Sequence, residues 1–97
     1  MRYYKRIDEG RHIGTNWGGD PTYWLEVNER GDADRELQVY PNGNVLRYDR
    51  NHPRDSYGAL AEMVVDGGEE EWMAYEISPD DFEEQWRTLV PVNCAPA

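Results

Sequence analysis

Alternation of apolar and polar residues is the strongest pattern along the first half of the chain. Residues 35–50 read RELQVYPNGNVLRYDR, in which Asn42-Gly43 separates two alternating runs. Asn-Gly favours a two-residue type I′ turn, because both central residues tolerate a positive φ. Such a loop fixes the register of a hairpin and places Val39 opposite Leu46. The apolar face would then consist of Leu37, Val39, Leu46 and Tyr48. The polar face would consist of Glu36, Gln38, Arg47 and Asp49.

Two further strands are predicted before the hairpin. Residues 22–28 (TYWLEVN) alternate in the same way, and such alternation is typical of a half-buried strand. The expected inward-facing residues of this strand are Tyr23, Leu25 and Val27. The polar segment 29–34 connects it to the hairpin, which gives a three-stranded antiparallel meander. Residues 2–7 are predicted as a fourth strand, and residues 8–21, with four glycines, as a long loop of the kind that often carries function.

The second half of the chain is predicted to add more strands and a closing helix. Residues 59–65 fit a helix or a strand, and a strand is favoured because a turn at 66–68 ends the segment and residues 72–77 alternate again. A helix is predicted over residues 79–89, with Ser78 as its N-cap. Its apolar stripe would consist of Phe82, Trp86, Leu89 and Val90. Phe82 and Trp86 are expected to share one core with the apolar face of the hairpin.

These elements predict a single α+β domain over residues 1–90 and a flexible C-terminal tail over residues 91–97. The expected architecture is an antiparallel sheet of about five to six strands with one C-terminal helix packed on one face. A chain of 97 residues has no room for a second domain. Four Trp, seven Tyr and one Phe can nevertheless bury enough area for a small core.

The acidic residues are distributed unevenly along the chain. The net charge is −10, from twenty acidic and ten basic residues. Up to Gly58 ten acids accompany nine bases, whereas from Ala59 onward ten acids accompany only Arg87. A field of negative sign repels nucleic acid and anionic membranes and attracts basic partners. The sequence therefore predicts a basic protein partner, with no direct nucleic-acid or membrane binding.

Two stretches of the chain carry a family resemblance. RELQVYPNGNVLRYDR at 35–50 and EISPDDFEEQW at 76–86 resemble a family of small bacterial proteins catalogued only as a domain of unknown function. Members of that family pair an Asn-Gly or Asp-Gly hairpin with a C-terminal Glu-Ile-Ser helix that ends in Trp. The resemblance extends loosely over residues 22–89, and the chain departs from it in 8–21 and 51–72. It implies a small α+β fold and transfers no active site to this chain, since its motifs are structural.

Candidate catalytic and metal-binding motifs are sparse. His12 and His52 lie in separate predicted loops, and neither H-x-x-x-H nor C-x-x-C spacing, typical of zinc ligands, is present. The acidic run 69–71 lacks the alternating ligand spacing of a calcium loop. The single cysteine, Cys94, cannot form an internal disulfide, and no apolar run approaches the about 18 residues of a membrane span. We therefore expect a cytoplasmic protein without metal, cofactor or enzymatic activity.

The acidic segment is interpreted as a binding surface. Its acids lack the neighbouring bases of a solubilising Glu–Lys helix, and they lie beside Trp72 and Tyr75, aromatic residues of the kind that anchor interfaces. We expect a small inhibitor that occludes a basic surface of a partner protein. It would be an immunity protein for a nuclease-type toxin, or a phage-type anti-defence inhibitor that imitates nucleic-acid charge. The expected partner-binding residues are Glu69, Glu70, Glu71, Trp72, Asp80, Glu83, Glu84 and Trp17.

Three alternatives remain open from the sequence. Acids opposite an apolar helix stripe are also what an ordinary solvated surface shows. The loop at 8–21, with Arg11 and His12, would suit a small-ligand-binding or enzymatic domain. An exposed edge strand would suit a structural domain that forms a homodimer, so both a monomer and a homodimer are compatible with the sequence.

Overall fold

A computed structural model of the chain describes residues 1–7, 17–61, 64 and 69–93. Within these residues, one antiparallel sheet has the strand order β4-β3-β2-β1-β5. The strands are β1 (Arg2–Ile7), β2 (Thr22–Val27), β3 (Ala33–Val39), β4 (Val45–Asp49) and β5 (Glu76–Ile77). Two helices accompany the sheet, α1 (Glu69–Met73) and α2 (Pro79–Thr88). The predicted antiparallel sheet and C-terminal helix are confirmed, with five strands, whereas α1 was not predicted.

The first four strands follow the predicted order along the chain. β2, β3 and β4 form the expected meander, and β1 pairs with β2 from Arg2 opposite Val27 to Ile7 opposite Thr22. β5 adds to the other side of β1. None of the described helices is long and apolar enough to cross a membrane.

The register of the β3–β4 hairpin differs by one residue from the predicted register. Val39 lies opposite Val45, and Gln38 lies opposite Leu46. Residues directly opposite each other share a face of the sheet, so Leu46 shares its face with Gln38 instead of Val39. The predicted separation of this hairpin into an apolar and a polar face is therefore wrong, because a slip of one residue exchanges the faces.

The loop between β3 and β4 explains this register. The Gly43 N–H donates to the Tyr40 carbonyl, and the Tyr40 N–H donates to the Asn44 carbonyl, both at 2.9 Å. The connection is thus the three residues Pro41-Asn42-Gly43, with Gly43 at φ 91°. A turn closed by a residue in the left-handed region is the common three-residue hairpin loop. Proline is favoured at the second position of such a turn, and Pro41 occupies that position here.

Both faces of the sheet are covered. On the first face, Tyr4 of β1 and Tyr48 of β4 belong to a buried cluster with Leu60 of the segment that follows β4. On the second face, Phe82 of α2 is fully buried and lies 5.2 Å from Tyr3 between ring centroids. The full first-face cluster contains Tyr4, Leu25, Val27, Ala33, Tyr40, Leu46, Tyr48 and Leu60. Strand side chains alternate between faces, so the expected single core shared by the hairpin and Phe82 is wrong.

The helix α2 begins as its sequence predicts. Ser78 is the N-cap, and its Oγ accepts a hydrogen bond from the Asp81 N–H at 3.1 Å. Phe82 is buried and Trp86 is partly buried, as the apolar stripe requires. Val90 lies beyond the end of the helix and is 79% exposed, so its assignment to that stripe is wrong.

Three segments of the second half of the chain differ from the structures predicted for them, which were two strands and a flexible tail. In 59–65, Ala59 forms only an isolated bridge and residues 60 and 61 are irregular, while 62, 63 and 65 lie outside the described residues. In 72–77, the first two residues belong to α1 and only the last two form a strand. Residues 91–93, the start of the predicted tail, lie against β4, where the Val92 N–H donates to the Val45 carbonyl at 2.8 Å.

Candidate functional site

Residues 69–88, which form α1, β5 and α2, bend around the β5 edge of the sheet. On the first face, Trp72 of α1 lies 5.3 Å from Tyr4 between ring centroids. On the second face, Phe82 of α2 packs against Tyr3. Because Tyr3 and Tyr4 are consecutive in β1, their side chains point to opposite faces. The two helices therefore lie on opposite faces, and the chain between them forms the edge.

Exposed carboxylates are concentrated at this edge. Five acids between 70 and 81 are exposed, and Glu71 among them is paired with Arg6. We call the other four the acidic edge; they are Glu70, Glu76, Asp80 and Asp81. None of the four forms an ion pair with another described residue. Glu84, also exposed and unpaired among the described residues, lies one helical turn after Asp80 and extends the edge along α2.

Apolar surface lies within the acidic edge. Met73 is 61% exposed and Tyr75 is 37% exposed, and both are located between Glu70 and Glu76 in the chain. Large side chains of this kind contribute contact area at interfaces, whereas carboxylates contribute charge. The edge thus combines exposed apolar surface with carboxylates that form no ion pair among the described residues.

Two of the predicted partner-binding acids are instead paired within the protein. Arg6 Nη2 donates to Glu71 Oε1 at 2.9 Å, and Arg35 Nη1 donates to Glu83 Oε2 at 3.2 Å. Both arginines come from the strands of the charge-balanced half of the chain. The prediction considered only pairing along the helix; Glu71 and Glu83 instead find their partners in distant strands, and these two acids are not free for a partner protein.

Arg35 attaches α2 to the second face of the sheet. Its Nε and Nη2 donate to the two carboxylate oxygens of Glu26 at 3.0 and 2.6 Å. Its guanidinium group lies 4.9 Å from the ring centroids of Phe82 and Trp86. The hydrogen bond to Glu26 raises the pKa of Arg35, and the hydrogen bond from Arg35 lowers the pKa of Glu83. Glu83 is thus part of the attachment of α2.

The two predicted tryptophan anchors are both partly buried. Trp72 packs against the first-face cluster, and the Arg6 guanidinium group lies 4.7 Å from its ring centroid. Trp17 packs edge-on against Tyr40, with ring centroids 4.8 Å apart, and 5.8 Å from Tyr57. Trp17 is therefore part of the cover of the first face. Of the remaining predicted residues, Glu69 is the first residue of α1, and Asp80 lies in the first turn of α2.

A second polar cluster surrounds Asp55, after the end of β4. His52 Nε2 lies 2.8 Å from Asp55 Oδ2, while the Tyr48 hydroxyl and Asn93 Nδ2 donate to the Asp55 carboxylate at 2.8 and 2.9 Å. Burial would raise the pKa of Asp55, but the hydrogen bonds from His52, Asn93 and Tyr48 outweigh burial and hold this pKa well below its usual range. Asp55 thus connects β4, the following loop and residue 93, which is a structural role.

A metal site and the ligand-binding loop at 8–21 are two other possible centres for chemistry. Within the described part of the chain, no group of three His, Cys, Asp or Glu side chains could hold a metal ion. Arg11 and His12 of the predicted ligand-binding loop lie outside the described residues. Comparisons with protein-family models, curated proteins and solved structures find no match.

Proposed function

We propose that this protein is a small acidic inhibitor that occludes a basic surface of a partner protein, and that the acidic edge is its contact surface. One observation carries the proposal: the exposed acids of this edge have no ion-pair partner among the described residues, and two of them, Glu70 and Glu76, flank the exposed Met73 and Tyr75 in the chain. Glu71 and Glu83, by contrast, are paired with arginines of the sheet, so the unpaired carboxylates are the ones available to a basic partner.

Contacts with β1 hold the acidic edge in place. They favour binding without a large rearrangement. Arg6 holds α1 through Glu71 and stacks on Tyr75, whose ring centroid lies 4.7 Å from the guanidinium group. Tyr75 also accepts a backbone hydrogen bond from Lys5 at 3.0 Å through its carbonyl. A surface held in this way loses little conformational freedom on binding, which improves affinity.

The partner class follows from the sign of the charge. Nucleases and other nucleic-acid-binding proteins present basic surfaces, because most of their binding free energy comes from phosphate contacts. An acidic edge bound to such a surface would exclude the nucleic acid. Its association with the partner would be fast and would slow as the salt concentration rises. We therefore infer an immunity protein for a nuclease-type toxin, or a phage-type anti-defence inhibitor that imitates nucleic-acid charge.

Charge reversal at matched positions tests this function. Glu70→Lys and Glu76→Lys alter the acidic edge, and Glu29→Lys is the control, because Glu29 is exposed in the charge-balanced half. The partner is first isolated from the native host with the wild-type protein, and its association rate is then measured for each variant. We expect each edge reversal to slow association several-fold at low salt, and the deficit to shrink at about 0.5 M salt.

The control variant and the identity of the captured protein decide the outcome. Glu29→Lys should associate within about two-fold of the wild-type rate, since its charge lies outside the contact surface. Equal slowing by all three reversals would indicate a general effect of net charge and would refute the assigned surface. Capture of an acidic partner, or of none, would refute the function itself.

A further inference from the structure

A carboxylate is buried on the first face of the sheet. Glu36 of β3 is 1% exposed and lies opposite Tyr48. Its Oε1 accepts a hydrogen bond from the Ala61 N–H at 2.9 Å, and its Oε2 accepts one from Gln38 Nε2 at 2.5 Å. Gln38 Oε1 in turn accepts from the Tyr40 hydroxyl at 2.9 Å. These donors are all neutral, and no described basic residue forms an ion pair with Glu36.

Burial without a neighbouring cation favours the protonated form of Glu36. An ionised carboxylate without a cation is unstable in a dry interior. Burial raises the pKa of Glu36 to about 7, although the hydrogen bonds from Gln38 and Ala61 lower it. Near neutral pH the group therefore exchanges between a neutral form that suits the interior and a charged form that favours hydration.

The neighbours of Glu36 limit which groups can titrate with it. Leu25 of β2 lies opposite Glu36 and is apolar. Burial and the hydrogen bond to Asp55 raise the pKa of Tyr48 far above neutrality. Behind Tyr48, the His52 ring stacks at 6.0 Å and its Nε2 pairs with Asp55. Among the described neighbours, His52 is thus the group whose contribution must be separated from that of Glu36 by a control variant.

We propose that Glu36 is a proton-controlled latch that holds the segment 59–61 on the first face of the sheet. Protonation of Glu36 removes the cost of a buried charge beneath the closed segment, in which Leu60 joins the buried cluster and its N–H donates to the Pro53 carbonyl at 2.7 Å. Ionised Glu36 favours water, and water reaches it most directly when this segment lifts, because Ala61 covers one of its oxygens. A rise in pH through neutrality would therefore open the segment while the meander stays folded.

Amide hydrogen exchange measures this opening directly. The protection factor of the Ala61 N–H, which removes the intrinsic pH dependence of exchange, should fall roughly 10- to 30-fold between about pH 5.5 and pH 8 in the wild-type protein. The Tyr40 N–H, which is bonded to Asn44 within the hairpin, should keep its protection. In Glu36→Gln the fall at Ala61 should disappear, and in His52→Gln it should persist.

Several results would overturn the latch. A constant Ala61 protection factor in the wild-type protein would do so, as would the same fall in Glu36→Gln, or its loss in His52→Gln. Should Glu36→Gln fail to fold, the carboxyl carbon of Glu36 can be titrated by NMR in the wild-type protein. A midpoint near 7 that coincides with the loss of Ala61 protection supports the latch, whereas a midpoint near 4.5 refutes it.

Discussion

Replacement of Phe82 by alanine tests whether α2 is held by a core of its own on the second face. The Phe82 ring is fully buried, and it lies 5.2 Å from Tyr3 and 5.9 Å from Trp86 between centroids. The Arg35 guanidinium group lies 4.9 Å from the same ring. Truncation of a buried Phe costs about 3–5 kcal/mol. A small domain has a total stability of about 5–15 kcal/mol, so Phe82→Ala should remove a large share of it.

Trp86 provides the informative comparison, because it is larger but less buried. It lies one turn after Phe82, is only partly buried, and carries the Arg47 guanidinium group 3.8 Å from its ring centroid. Partial burial and the cation–π contact together give about 1–3 kcal/mol for Trp86→Ala. Val90→Ala is the control, since Val90 is 79% exposed and should change stability by about 0.5 kcal/mol at most.

Urea unfolding followed by far-UV circular dichroism measures all three variants without depending on tryptophan fluorescence. The expected order of destabilisation is Phe82→Ala, then Trp86→Ala, then Val90→Ala, with similar m-values. If Phe82→Ala does not fold, Phe82→Leu retains much of the apolar volume and should show a smaller loss in the same direction. A loss below about 1 kcal/mol for Phe82→Ala, or a larger loss for Trp86→Ala, would refute the described packing of α2.

Two further predictions concern charged groups. The depressed pKa of Asp55 means that its ionised form stabilises the protein above the unfolded value of 3.8, and this contribution is lost as the pH falls through the folded value. Asp55→Asn should therefore cost about 1–3 kcal/mol at pH 7 and lose less stability than the wild type on acidification below about pH 4, as acid titration by circular dichroism will show. Glu83→Gln should cost up to about 1 kcal/mol at low salt and less in about 1 M salt, because it removes the exposed pair with Arg35. Glu84→Gln, measured by the same urea unfolding, should stay within about 0.5 kcal/mol at either salt concentration.

Local chemistry predicted part of this fold correctly. Ser78 and Pro79 define the start of α2 by hydrogen bonding and by backbone geometry, and both effects act within a few residues. The alternation in β2 likewise placed Leu25 and Val27 in the interior, where they are each 3% exposed. Features of this kind can be predicted because they depend on neighbouring residues alone.

The remaining features depend on contacts that a single sequence does not show. The register of the β3–β4 hairpin was mistaken because Pro41 changes the turn that Asn42-Gly43 alone would favour, and Glu36 is buried as a result. The ion pair between Arg35 and Glu83 joins residues 48 positions apart. Only the pairing of strands and the crossing of α2 bring such residues together, so the division of the acids into paired and unpaired groups could not be predicted.

The contacts of Asn93 have a consequence for self-association. Its side-chain amide accepts from the Arg47 N–H at 2.9 Å and donates to the Arg47 carbonyl at 3.0 Å, as a peptide group of an added strand would. The Asp49 N–H and carbonyl are occupied in the same way by His52. An unprotected outer strand is a template for intermolecular β-sheet growth and aggregation. A single asparagine side chain thus helps to make β4 the last strand on its side of the sheet, and any docking of another strand there would first have to displace it.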